Sequence, residues 1–88
     1  MGIDPNRYVF TTKQVAFKGS PILFVSHDTD DDWQFFGEEE VKEEDAAVLL
    51  LKEIIEIDPS ISNVLNMPKG AKAKRSSKNA EWVIIPLS

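Results

Sequence analysis

Ala46-Ala47-Val48-Leu49-Leu50-Leu51-Lys52-Glu53-Ile54-Ile55-Glu56-Ile57 is the stretch on which the fold turns. Its first half is a continuous apolar run of strand length. Its second half places Leu51, Ile54 and Ile55 at i, i+3 and i+4, with Lys52, Glu53 and Glu56 between them. That is the period of an amphipathic helix. Read as two elements, the stretch is extended through about Leu50 and helical from about Leu51 to Ile57. The alternative is a single helix from Glu43 to Ile57. The first reading gives a sheet with a helix leaning on it. The second takes a strand out of the sheet.

Upstream, Glu38 to Asp45 is polar and reads as a loop or a first helical turn. Before it, Ile22–Ser26 and Trp33–Phe36 are strand-length runs joined by a short acidic link, which makes a hairpin the default. Acids in place of Asn-Gly predict a loop of several residues rather than a tight two-residue turn. Arg7–Val15 is rich in β-branched and aromatic residues and reads as a strand. Phe17–Pro21 is a turn punctuated by Gly19 and Pro21. Met1–Asn6 has no periodicity and reads as a loose start, either disordered or added ahead of the natural chain.

Downstream, Asp58-Pro59-Ser60 has an N-cap residue followed by proline at the first helical position. Ile61, Val64 and Leu65 then give one apolar face of a short helix that ends by Asn66–Pro68. Gly70 marks a turn. Ala71–Arg75 and Trp82–Ile85 read as a closing hairpin ended by Pro86. The expected core is Val9, Val15, Ile22, Phe24, Trp33, Phe35, Leu49, Leu51, Ile54, Ile55, Ile61, Leu65, Trp82 and Ile84. The expected fold is α+β: a small, mostly antiparallel sheet with one or two short helices packed on one face. Residues 7–88 form one domain, since 88 residues leave no room for a second core.

Composition narrows the function classes. The chain has no cysteine, which removes disulfides, thiolate metal ligands and cysteine nucleophiles. No apolar run approaches the roughly 20 residues of a membrane span, and no leader pattern opens the chain. The expected setting is the cytoplasm. Net charge is −5, unevenly spread. Asp28 to Asp58 carries 13 acids against two bases, or −11, while Pro59 to Ser88 carries +4. Such an acidic middle repels phosphate backbones and attracts basic partners. A solvated face is the plain reading; a surface that docks a basic protein is the sharper one. Nucleic-acid and membrane binding are not expected, nor is a cofactor. The chain is expected as a monomer or weak homodimer.

The candidate site is the link itself, Ser26-His27-Asp28-Thr29-Asp30-Asp31-Asp32-Trp33-Gln34-Phe35-Phe36-Gly37-Glu38-Glu39. Asp28, Asp30, Asp32 and Glu39 match positions 1, 3, 5 and 12 of a calcium loop. Position 6 of such a loop needs glycine for a sharp turn, and Trp33 stands there instead, so an acidic hairpin turn in water is the simpler reading. His27 beside Asp28 offers half of a general-base pair, but no partner nucleophile is marked. A structural hydrogen-bonding role is the simpler reading of a lone histidine. Alternation puts Trp33 and Phe35 on one face, in the core, and Phe36 with Gln34 on the other. Phe36 beside acids has the character of an interface anchor. The expected partner-binding residues are Asp28, Asp30, Asp31, Asp32, Phe36, Glu38, Glu39 and Glu40. The alternative is a metal-dependent or acid–base enzyme built on His27 and the Asp28–Asp32 cluster.

The ordered set Asp32-Trp33-Gln34-Phe35-Phe36-Gly37-Glu38-Glu39, Ile57-Asp58-Pro59-Ser60-Ile61 and Leu65-Asn66-Met67-Pro68-Lys69-Gly70 resembles the DUF2185 family, grouped as Imm33-type immunity proteins of bacteria. The resemblance covers about Tyr8 to Trp82. It implies a small α+β domain, encoded near polymorphic toxin systems, that neutralises a toxin by binding it. It carries over no catalytic residue.

Overall fold

Thr12 ends the first strand sooner than its composition suggests. Its backbone is extended, and its hydroxyl accepts the Val15 amide, capping a short helix. Arg7–Val15, expected as one strand, is therefore strand β1 (Tyr8–Thr12) followed by helix α1 (Lys13–Phe17). The computed structural model describes residues 3–38 and 41–86. The remaining elements are β2 (Phe24–His27), β3 (Trp33–Phe36), β4 (Ala46–Leu50), α2 (Leu51–Ile57), β5 (Lys72–Lys74) and β6 (Val83–Ile85). Two 3₁₀ segments, Glu43–Asp45 and Pro59–Val64, complete the order.

The decisive stretch divides where its pattern changes. Ala46–Leu50 is a strand and Leu51–Ile57 a helix. Glu53 reaches back so that its carboxylate accepts the Leu50 amide, 2.9 Å away, which starts the helix at that point. Asp58 caps the next segment. Its carboxylate accepts the Ser60 amide at 3.0 Å, with Pro59 just inside. That segment is 3₁₀ rather than α.

One sheet holds all six strands in the order β4-β1-β3-β2-β5-β6. The pair β1–β3 is parallel, and the other four pairings are antiparallel. The fold is the expected α+β class. The sheet's inward face carries Val9, Val25, Trp33, Phe35 and Ala73. Against it pack Val15 of α1, Leu51 and Ile54 of α2, and Ile61 and Val64 of the 3₁₀ segment. Helices cover this face only.

The core differs from expectation in three respects. Phe24 lies on the opposite, open face and is only half buried, stacked on Phe36 with ring centroids 6.4 Å apart. Ile84 is exposed, because β6 lies at the sheet edge beyond the helices. Leu49, Ile55, Leu65 and Trp82 pack against the core from its margin rather than inside it. Small or flexible residues fill the remaining space: Val25, Val64, Met67, Ala71 and Ala73. Within the stretch read as a loose start, Met1 and Gly2 lie outside the described residues. The Arg7 amide donates to the Asp4 carbonyl, Lys52 donates to that of Pro5, and Ile3 packs against the core.

A buried ion pair ties the lower part of the fold together. The Arg75 guanidinium donates to the Asp58 carboxylate, to the Ser60 hydroxyl and to the Ile22 carbonyl, and lies 4.2 Å from the Trp82 ring centroid. The two charged side chains are 1% and 8% exposed. On its own, burial would raise the Asp58 carboxyl. Hydrogen bonds from Ser60 and Arg75 overcome that and hold it below its ordinary value.

Candidate functional site

The acidic link is a three-residue hairpin loop. The Asp28 amide donates to the Asp32 carbonyl at 2.8 Å, and the Asp31 amide to the Asp28 carbonyl at 2.9 Å. Asp31 sits at φ 71°, the left-handed position where such loops prefer glycine. The loop therefore has several residues, as acids in place of Asn-Gly require. Trp33, at the sixth position of the calcium-loop spacing, begins β3 and is buried. Glu39, the twelfth position, lies outside the described residues, as does Glu40. Among the described residues no three His, Cys, Asp or Glu side chains converge as a metal site.

The four aspartates divide into two kinds. Asp31 and Asp28 belong to the scaffold. The Asp31 carboxylate accepts from His27 Nε2 at 2.7 Å and from the Arg7 guanidinium at 3.4 Å, while its carbonyl accepts a second Arg7 bond. The Asp28 carboxylate accepts from the Ser26 hydroxyl at 3.2 Å and the Gln34 amide at 3.0 Å. Asp30 and Asp32 are exposed, and neither carboxylate has an ion-pair partner among the described residues. Glu38 is exposed at the far end of β3. The hydrogen bond from His27 is the largest influence on Asp31 and lowers its carboxyl below the ordinary value. Burial opposes it and Arg7 adds to it.

His27 joins two distant parts of the chain. Its Nδ1–H donates to the Met67 carbonyl at 2.8 Å, and its ring stacks on Trp33 at 4.0 Å. The Gly70 amide donates to the His27 carbonyl at 2.6 Å. Pro68–Ala71 closes as a turn, with the Ala71 amide on the Pro68 carbonyl and Gly70 at φ 91°. Glycine suits that third turn position because its φ is positive. The run Leu65 to Gly70 thus docks on the acidic hairpin through one histidine. Both ring nitrogens are engaged by acceptors, whereas a general base needs a nitrogen facing its substrate. The Arg7, Met67 and Gly70 contacts were not foreseen from the sequence. The separation of 40 residues between His27 and Met67 leaves no local pattern to read.

The sheet's outer face is the other notable surface. Register places Tyr8, Phe10, Phe24, Gln34, Phe36, Val48, Lys72, Lys74, Val83 and Ile85 on it. Phe36 lies opposite Trp33 and Phe35, as alternation requires. Tyr8 is 71% exposed, and Phe10, Val48, Val83 and Ile85 are all exposed. Acids flank this face at the hairpin tip, and Lys72 and Lys74 stand near the β6 edge.

No protein-family model, curated protein or solved structure matches the chain. Among the described residues no helix is long and apolar enough to cross a membrane.

Proposed function

We propose that this is a small binding domain of immunity type, which holds a basic protein against the open face of its sheet and its acidic hairpin. One observation carries the reading. An antiparallel sheet with one covered face ordinarily turns polar residues to water on the other. Here Tyr8, Phe10, Val48, Val83 and Ile85 stand exposed there, with the stacked Phe24–Phe36 pair between them. Exposed apolar side chains in such number on one sheet face mark an interaction site, here in two groups, with Lys72 and Lys74 standing between the Phe24–Phe36 pair and β6. Asp30, Asp32 and Glu38 supply negative charge at its rim, which raises the association rate of a basic partner. Glu39 and Glu40 extend that acidic run in sequence. A toxin is the partner that the ordered motifs suggest, met in the cytoplasm. No cofactor is required.

The acid–base alternative would need His27 Nε2 to leave Asp31 and face a substrate, and no observation favours it.

The test is binding to basic proteins encoded beside this one. Asp30→Asn with Asp32→Asn should slow association at low salt and leave dissociation and folding nearly unchanged. Phe36→Ala should speed dissociation. Association insensitive to both salt and the double substitution would overturn the reading.

A further inference from the structure

We propose that the outer edge of β4 takes up an extended basic segment of the partner as a further strand, centred on Val48. This rests on the reading that the partner is a basic protein, and adds where and how a segment of it is held.

The backbone comes first. The Leu51 amide donates to the Arg7 carbonyl, which fixes the alternation of the β1–β4 ladder. Val9 with Leu49 and Thr11 with Ala47 are then the bonded pairs. The N–H and C=O groups of Ala46, Val48 and Leu50 point away from β1. Two of those amides are already used. Ala46 donates to the Glu43 carbonyl and Leu50 to the Glu53 carboxylate. Val48 keeps both its N–H and its C=O turned outward. Among the described residues β4 has no second neighbour in the sheet.

Side chains on both faces suit an added strand, whose residues alternate between them. On the open face lie Val48, Phe10 and Tyr8. On the helical face is a cavity of about 310 Å³ lined by Ala16, Phe17, Leu49, Glu53, Glu56 and Ile57. Phe17 is 72% exposed there. Strand addition takes its affinity from main-chain bonds and its specificity from such alternate side-chain sites.

Charge chooses the occupant. Glu43, Glu44 and Asp45 lie at one end of β4, and Glu53 and Glu56 at the cavity rim. No ion pair engages any of them among the described residues. The opposite edge, β6, is shorter and stands beside Lys72 and Lys74, so it does not attract a basic segment. Edge strands are normally guarded by Pro, Lys or a bulge. Ala46–Leu50 contains no Pro or Lys, and its pairing with β1 is unbroken.

The probe is a fluorescent peptide, Lys-Thr-Val-Arg-Ile-Thr-Lys, titrated by polarisation, with amide exchange at Val48 as the second readout. It is compared with the same peptide N-methylated at its alternate amides, and with one carrying Glu for Lys and Arg. The basic peptide should bind and protect the Val48 amide. N-methylation should weaken it about tenfold or more, the loss of one or two net hydrogen bonds. Val48→Pro removes only an outward amide, which an edge strand tolerates, and should have the same effect on binding. Val48→Ala should bind within about threefold of the parent, since its backbone groups remain. Equal binding of the N-methylated peptide overturns the proposal. So does Val48 protection that rises with protein concentration alone, which would make a second copy the occupant. If a basic partner binds the whole protein but the peptide does not, the edge is wrong and the functional reading stands. If no basic protein binds at all, the functional reading itself falls.

Discussion

Removing the Asp58 carboxylate should destabilise the domain more than any other single change at a polar residue. Asp58→Ala strands the Arg75 guanidinium, whose side chain is 1% exposed. Two hydrogen bonds would remain from the guanidinium, to the Ile22 carbonyl and the Ser60 hydroxyl, beside the Trp82 ring, and neither hydrogen-bond acceptor carries a charge. Breaking a buried pair by deleting one partner costs about 3–5 kcal/mol, because the surviving charge is left uncompensated. The same substitution removes the cap on the Pro59–Val64 segment, a further ~1 kcal/mol that overlaps the first figure. A domain of 88 residues has roughly 4–13 kcal/mol in total, at about 0.05–0.15 per residue. At the low end of that range the variant would be barely folded; at the high end it would stay folded with a clearly lowered midpoint. Arg75→Met should be milder, since Asp58 keeps both Ser60 bonds and the methionine fills the space under Trp82. The double variant should recover most of the loss, for apolar replacement of a whole buried pair is often neutral. Urea unfolding followed by tryptophan fluorescence reads this directly, because Trp82 lies on Arg75. With a slope of about 1–3 kcal/mol per molar, a loss of ~3 kcal/mol moves the midpoint by ~1–3 M. A shift under ~0.3 M for Asp58→Ala, or a double variant worse than both singles, would refute the argument that Arg75 depends on Asp58.

Trp33→Ala should cost about 3–5 kcal/mol, since the ring is buried between His27 and Phe35. Trp33→Phe should cost much less, because the buried indole N–H has no partner among the described residues; denaturant midpoints compare the two. Asp31→Asn and Asp31→Gly should both lower the melting temperature by removing the carboxylate charge that pairs with His27 and Arg7, although the Arg7 bond to the residue-31 carbonyl remains. Gly should lower it less, because it relieves the positive φ. Acid should unfold the domain from the carboxylate side. The Asp31 and Asp58 carboxyls are both held below their ordinary value of 3.8. Their contribution is therefore full above that value and is lost as pH falls through the lower folded values. Melting temperatures measured from about pH 5 down to 2 should fall steeply, and less steeply in Asp58→Asn.

What was legible in the sequence was what local pattern encodes. The change from apolar run to helical period at Leu50–Leu51 marked the boundary between β4 and α2. The Asp58-Pro59 pair marked the start of the following segment. Helix α1 escaped because its five residues are too short to show a period and follow a β-branched run without a break. The parallel β1–β3 pairing escaped because spatial order across a sheet has no local signature. Arg75 read as part of a basic, solvated segment, yet it is the most buried charge in the ion pairs described here. Its identity as the segment's one arginine among lysines was the available signal, since arginine suits buried and stacked pairing. Apolar character alone assigned Phe24 and Ile84 to the core. With helices on one face only, half of the sheet's apolar residues had no layer to bury them.

That last point bears on function. The acidic density that stands out in the sequence does not act as one surface. Asp28 and Asp31 spend their hydrogen-bonding capacity inside the hairpin, where they lock Ser26, Gln34, His27 and Arg7. His27 in turn holds the Leu65–Gly70 run. Among the described residues of the loop, Asp30 and Asp32 are the acids that face solvent with no ion-pair partner. The run is thus half scaffold and half surface, and mutating Asp30, Asp31 and Asp32 together would confuse the two. Changing Asp30 and Asp32 while sparing Asp31 leaves the His27 bridge intact, so any loss of binding is then a loss of surface charge. The apolar open face needs no such separation, since Tyr8, Phe10 and Val48 stand clear of the core. If it is a docking surface, Tyr8→Ser should weaken partner binding and leave the melting temperature of the free domain nearly unchanged. Were Tyr8→Ser instead to unfold the domain, the open face would owe its residues to stability and not to a partner.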